Sequence, residues 1–444
     1  MTAAPTFAPQ PVTHRRVLGI ALPIAVSNAA VPLLGAVDTA VVGRLGAVEV
    51  GAVGLGAIVL AFLYGIFNFL RMSTTGLVAQ ATGAGDHAEA GAHLLRALVL
   101  GLGIGLALIA GQALIFRLAM GLSPASQAVE DTARLYLGIR IWGVPATVAV
   151  YAVTGWLIGV ARTRAVLVLQ LLVGLLNAAV SILFVMGFGW GVAGCAVATL
   201  IAEYFGLAIG LYLARHALRA AWANARSAAR LFARDRVVRL VRVNGDIMLR
   251  SLLLQLSFVS FIFLSASEGD LQLAANQVLM QLIELTAFAL DGFAFAAEAL
   301  VGQAVGARRP DAVRRATVLS TQWGIAGAVA MSAVFLLFGG AMIDLLTTLP
   351  ELREAARTYL PWVVAFPLVG IMAWMLDGVF IGATLTGEMR KAMLVAALGY
   401  AACVAVSLPL IGNAGLWLSL LVLNGLRGVM MARWYPNAEV AARG

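Results

Sequence analysis

Five stretches of this chain, 51–70, 97–116, 141–161, 316–343 and 358–376, contain no charged residue. Each is long enough, at about 18 residues or more, for a helix to cross the hydrocarbon core of a bilayer. A soluble helix of that length would carry a polar face. Composition removes the soluble alternative: of 444 residues, 62% are hydrophobic and 11% charged, against about a quarter charged in ordinary soluble domains. The fold class is all-α and polytopic, built from membrane-spanning helices.

Two further charge-free runs are too long for one crossing and must each hold two. Between Ala165 and Ala202 the FGWG turn at 188–191 makes the division; within 392–426, Pro409 and Gly412 do. With spans at about 17–42, 51–82, 95–118, 134–160, 243–266, 272–304, 316–340 and 355–382, the count is twelve. They form two sets of six, because the chain repeats itself at an offset of 223. Gln80, Ala81, Gly83 and Ala84 recur as Gln303, Ala304, Gly306 and Ala307, and Ile158-Gly159 recurs as Ile381-Gly382. An even number of spans per copy preserves orientation, so a pseudo-two-fold along the membrane normal is expected to relate the copies. The expected organisation is a disordered tail (1–14), an N-terminal lobe (15–214), a basic linker (215–242), a C-terminal lobe (243–436) and a short tail (437–444).

The linker carries eight arginines against one acid, Asp235. It reads either as an amphipathic segment lying on anionic lipid or as a determinant of topology alone. Elsewhere basic residues concentrate in alternate loops. That places both termini in the cytoplasm of a multi-pass protein of a bacterial-type inner membrane. The net charge of +9 is therefore read as topology, with no nucleic-acid partner. No cleavable signal is expected, since 1–14 is polar and the first apolar run is long and proline-bearing.

Catalytic signatures are missing: there is no P-loop, H-E-x-x-H, G-x-S-x-G or Cys/His cluster. Cys195 and Cys403 lie in apolar runs and read as small buried hydrophobes. The chain is expected not to be an enzyme and to hold no cofactor or metal. What remains is carboxylates inside apolar helices. Each costs about 2.5–3.5 kcal/mol to insert, so such groups face a cavity or a partner. Burial favours the neutral form of a carboxyl, which is what proton exchange requires.

Asp38 is the one acid of the first span, above Pro23 and Pro32, two hinge candidates. Ser27, Val31 and Gly35 share its face. It reads as a proton carrier or as a polar lock between helices. Asn177, Ser181, Thr199 and Glu203 are its candidate partners in the N-terminal half, Asn177 and Ser181 lying one turn apart. In the eighth span Gln277, Glu284, Asp291 and Glu298 recur every seven residues. They form one stripe that drifts only about 20° per step. The stripe reads as a cavity wall with Asp377 opposite, or as an internal network with Arg250 or Gln255. At the repeat offset Asn68 faces Asp291 and Thr75 faces Glu298; Asn68 is thus the neutral counterpart on the cavity. Arg71 reads as neutralising an acid or as snorkelling toward the cytoplasmic interface, and snorkelling is expected.

The segments VDTAVVGRLG (37–46), FLRMSTTGLVAQ (69–80), GVAGCAVATLIAEY (191–204), GDIMLRSLLLQLSF (245–258), LDGFAFAAEALVGQAVGAR (290–308) and DGVFIG (377–382) together resemble the multidrug and toxic compound extrusion (MATE) family, in the branch named after DNA-damage-inducible protein F. The resemblance implies a V-shaped fold of two six-helix lobes. It also implies export of amphipathic, often cationic compounds by antiport with protons or sodium. Asp38 matches the family's ion-linked aspartate, with Asn177 and Thr199 as polar neighbours. The family's N-x-x-x-D pattern reads Asn177-Ala-Ala-Val-Ser181 here, without the second acid. That weakens a sodium site, since hard cations prefer several oxygens including carboxylate. Asp377, Asp291 and Glu298 match acidic family positions, whereas Glu284 is peculiar to this chain. The expected function is proton-driven export of small amphipathic or cationic substrates by a monomer. Sodium coupling, or a lipid or glycan flippase of the wider superfamily, is the alternative.

Overall fold

Apolar runs become helices almost end to end. The computed structural model describes residues 11–121, 125–224 and 233–443; the side chains of 31–36 (Val31, Pro32 and Gly35 among them) and of Asn224 lie outside the described residues. So do the first ten residues of the expected tail and residues 225–232 of the expected linker. The helices are α1 (His14–Val42), α2 (Ala47–Phe67), α3 (Phe69–Gly83), α4 (His87–Ala110), α5 (Gln112–Gly121), α6 (Gln127–Arg140), α7 (Val144–Gly159) and α8 (Thr163–Ser181). They continue as α9 (Gly191–Asn224), α10 (Arg234–Ser267), α11 (Asp270–Gly306), α12 (Pro310–Leu346), α13 (Pro350–Gly382), α14 (Thr386–Ile411), α15 (Asn413–Trp434) and α16 (Pro436–Ala441). Among the described residues, eleven helices or abutting helix pairs are long and apolar enough to cross a membrane. With α1, 29 residues long, there are twelve.

Local chemistry sets the breaks. The second crossing is interrupted at Asn68, whose side-chain oxygen accepts a 3.2 Å bond from Arg71 Nε. After α8 the chain takes π-helical turns at Ile182–Gly187. These lead into a cluster of Phe184, Phe188 and Trp190 with ring centroids 4.7–5.7 Å apart. Such an aromatic group is at home in the membrane interface. Pro409 stays inside α14, and the break expected there falls at Gly412, whose φ of +56° suits glycine.

The chain divides into two compact units. Met1–Ala25, Ala79–Gly85 and Leu240–Gly444 form one, and Val26–Val78 with Asp86–Arg239 forms the other. Unlike the halves read from sequence, this division runs through α1 and through the last turns of α3. Packing explains the difference. In the first unit a Cβ on Gly292 would overlap the carbonyl of Ala21, so α1 lies directly on α11, and Arg16 Nη2 donates to Gln303 Oε1 at 2.7 Å. Gln80 Nε2 donates to the Gly382 carbonyl at 3.0 Å and to Thr384 Oγ1 at 3.1 Å.

The two copies of the Q-A-x-G motif meet here. A Cβ on Gly83 would overlap the carbonyl of Gln303, and one on Gly306 would overlap the carbonyl of Gln80. Only a residue without a side chain lets the two backbones approach so closely. The repeat also governs packing inside each unit. Gly155 abuts the carbonyl of Arg71 in one, and Gly378 abuts that of Ala294 in the other; both pairs stand one offset apart.

Elsewhere in the first unit Phe261, Phe335, Phe366 and Trp417 are fully buried, Phe261 meeting Trp417 edge to face at 5.0 Å. Beside them Asn276 Nδ2 donates to Ser265 Oγ and Asn413 Oδ1 at 2.7 and 2.6 Å. Its Oδ1 accepts from Asn413 Nδ2 and Trp417 Nε1 at 3.0 and 2.9 Å. A buried amide satisfied on both sides ties the starts of α11 and α15 to the end of α10.

Candidate functional site

The second unit holds Asp38, near the end of α1. Asn177 Nδ2 of α8 donates to Asp38 Oδ2 at 2.5 Å. Eleven residues earlier in α1, Ser27 Oγ donates to Gln170 Oε1 at 2.5 Å. The two contacts advance together along α1 and α8, so these helices run in the same direction, as the first and fifth spans must. Around Asp38 the walls are apolar: Val41, Val42, Val185 of the π-helical turns and Cys195 of α9 form one buried cluster.

The polar inventory of this site is unbalanced. Asp38 Oδ1, Asn177 Oδ1 and Ser181 Oγ are buried and, among the described residues, have no hydrogen-bond partner. Buried polar groups are nearly always paired, and an orphan costs roughly 1–3 kcal/mol. Two of these three oxygens can only accept. The site is short of donors, and a proton or a cation would supply what is missing.

Two expected partners of Asp38 are engaged elsewhere. Thr199 Oγ1 donates to the Cys195 carbonyl of its own helix at 3.1 Å. Glu203 is bound by Arg140 Nη1 at 2.7 Å and by Tyr64 Oη at 3.3 Å. Arg140 sits at the end of α6, before the 3-10 turn Ile141–Gly143, and sequence reading did not connect it to Glu203. Arg71 is 5% exposed and bonded to Asn68, so it is buried and does not snorkel. Asn68 is half-buried at the α2–α3 break. Pro23 lies within α1, and the Pro32 side chain is outside the described residues.

In the first unit the stripe on α11 grades inward. Gln277 and Glu284 are exposed, Asp291 is half-buried, and Glu298 is 1% exposed. Asp377 of α13 does not look onto open space as a cavity wall. Its Oδ2 accepts from Arg250 Nη2 of α10, and from Arg427 Nη2 of α15 at 2.5 Å. Arg427 also donates to Asn424 Oδ1 at 3.0 Å. Two guanidinium groups face one carboxylate in the interior, because neither arginine reaches the surface: Arg250 is 5% and Arg427 2% exposed. Arg427 was missed in the sequence, since it closes a charge-free run and looks like an interfacial residue there.

Comparison with known proteins places this arrangement. The MatE family model matches residues 23–183 and 247–409, one block in each copy of the repeat. The chain is 44% identical over 416 residues to DNA damage-inducible protein F of Escherichia coli K12, covering 93% of this chain and 90% of that protein. It is 28% identical over 397 residues to the probable multidrug resistance protein NorM of Bradyrhizobium diazoefficiens, covering 81% and 79%. A multidrug resistance MATE family transporter of the MOP superfamily, solved in an outward-facing conformation, superposes with a TM-score of 0.86 at 18% identity, over 97% of each chain. Family blocks on both halves and a long, well-covered relative agree: the chain belongs to the MatE family of multi-pass multidrug efflux transporters.

Proposed function

We propose that this transporter exports amphipathic cationic compounds in exchange for protons, with Asp38 as the group that takes up and releases the proton. The observation that carries the reading is the donor shortage around Asp38: one hydrogen bond from an amide on Oδ2, with three orphaned oxygens on Asp38, Asn177 and Ser181. Protonation turns an acceptor into a donor and pairs one of them. Deprotonation restores a buried charge held by a single amide. Those two states differ in how α1 is tied to α8. Because α1 continues from one compact unit into the other at Ala25–Val26, a change in its seating is felt in both. Pro23 removes a backbone hydrogen bond along the way and eases bending.

Proton coupling is favoured over sodium because the side chains at hand supply one carboxylate, Ser181 standing where the family pattern has an acid. Glu284, Asp291 and Glu298 along α11 give a cationic substrate its negative surface, graded from exposed to buried. Asp377 is spoken for by Arg250 and Arg427 and is left out of that surface. The basic loops support cytoplasmic termini in an inner membrane.

The test is transport of a fluorescent organic cation in proteoliposomes under either a pH gradient or a sodium gradient. The pH gradient alone should drive transport. Asp38→Asn should abolish it while gradient-free exchange of substrate continues. Sodium-driven transport at uniform pH, or full proton-driven activity in Asp38→Asn, would overturn the reading. Movement of labelled lipid instead of the cation would favour the flippase.

A further inference from the structure

On the side of the second unit, α4, α7 and α9 enclose a groove of about 520 Å³. Leu98 and Leu102 of α4 form one wall, and Leu207, Leu211 and Trp222 of α9 the other. Ala149 of α7 is a low floor, and among the described residues Arg219 is the only charged one in the lining. A convex helix surface meets bulk lipid one chain at a time. A trough with a floor holds an acyl chain against three helices at once.

The groove's place along α9 indicates what it would hold. This helix has 34 residues, about 51 Å at 1.5 Å per residue, which exceeds a hydrocarbon core of about 30 Å. After Glu203 its charge-free stretch, 204–214, ends in the tract of Arg215 and Arg219, so the last turns stand among headgroups. From Leu207 to Trp222 the wall rises about 22 Å, the depth of one leaflet with its headgroups. Trp222 is 73% exposed, as suits an indole at the interface. Arg215 is occupied locally: it donates to the Tyr212 carbonyl at 2.8 Å and covers the Tyr212 ring at 3.9 Å. Arg219 makes no hydrogen bond or ion pair with any described residue, and no acid lines the groove among the described residues.

We propose that this groove binds an anionic phospholipid, with one acyl chain in the leucine trough and the phosphate on Arg219. The chemistry excludes nothing hydrophobic from the trough. The lone guanidinium at its mouth is what selects for negative charge. With cytoplasmic termini, as proposed above, the leaflet would be the inner one; the binding itself does not depend on that orientation.

Native mass spectrometry of the full-length protein tests it, after equilibration with equimolar phosphatidylglycerol and phosphatidylcholine in detergent. The wild type should retain phosphatidylglycerol about fivefold over phosphatidylcholine, the weight of one arginine near an anionic headgroup. Arg219→Gln should erase the preference, while Arg215→Gln keeps it. Leu102→Trp, at an exposed position that fills the trough, should reduce retention of both lipids. Equal retention by the wild type, a preference that survives Arg219→Gln, or no loss in Leu102→Trp would overturn the proposal. No gradient or exported substrate enters the measurement, so its failure leaves the export reading untouched.

Discussion

Asp38 and Asp377 are both aspartates inside apolar helices, yet their partners hold them in opposite ways. Asp377 is fixed by two buried guanidinium groups. Taking one partner out of a buried ion pair costs about 3–5 kcal/mol, because the surviving charge is stranded. Asp377→Asn should therefore lower the thermal midpoint in detergent sharply, and adding Arg250→Met and Arg427→Met should recover part of the loss. Asp38 has one amide partner, so Asp38→Asn trades a hydrogen bond for the removal of a poorly solvated charge. Its midpoint should stay close to the wild type, within about 1 kcal/mol. Tryptophan fluorescence melts read both variants, and a greater loss at Asp38 would reverse the assignment. The pairing at Asp377 was only half legible beforehand, with Arg250 a candidate and Arg427 unsuspected. Hydropathy reports how much charge a helix carries, not which way a side chain points. For the same reason Arg71, expected at the interface, lies inside.

The decisive contacts between elements are backbone on backbone. At the crossing of α3 and α11, Gly83 and Gly306 each receive the other helix's glutamine carbonyl. Even one methyl group there forces the helices apart, at a typical overpacking cost of about 1–3 kcal/mol. Gly83→Ala and Gly306→Ala should each lower the thermal midpoint. The double variant should lose less than the two losses added, because the first substitution already opens the crossing for the second. Gly103→Ala on α4 is the control: nothing lies within 4 Å of its would-be Cβ, and alanine is the better helix former. It should be neutral or slightly stabilising; fully additive losses at Gly83 and Gly306 would show two independent contacts instead. The motif's duplication was plain from Gln80–Gly83 and Gln303–Gly306. That the two copies pack on each other was not, since an offset says which residues correspond but not which ones touch. The limits of the spans were legible wherever charge ended a run. The breaks at Asn68 and the π-helical turns were not, because side-chain bonding and aromatic packing make them.

For the whole molecule, the distribution of buried acids sets an expected exchange ratio. Glu203 is held by Arg140, Asp377 by two arginines, and Asp246 by Arg390 at 2.6 Å and Thr386 at 3.0 Å. Each of these carboxylates has a cationic partner within the protein, whereas Asp38 has an amide. With Asp291 and Glu298 assigned to the substrate surface, one carboxylate is left to cycle, which predicts one proton per turnover. If the substrate is a monovalent cation, one-for-one exchange moves no net charge. The limiting substrate gradient should then equal the proton gradient, about tenfold per pH unit, and a potassium–valinomycin potential should not change it. Two protons per turnover would raise the limit to about a hundredfold per pH unit and make it respond to potential. Measuring the static-head gradient in proteoliposomes at two pH differences, with and without an imposed potential, separates the cases. A slope of two, or a shift with potential, would mean that a second acid titrates with Asp38. Asp291 and Glu298 would be the first to substitute, because they stand on the acidic stripe of α11 assigned to the cationic substrate.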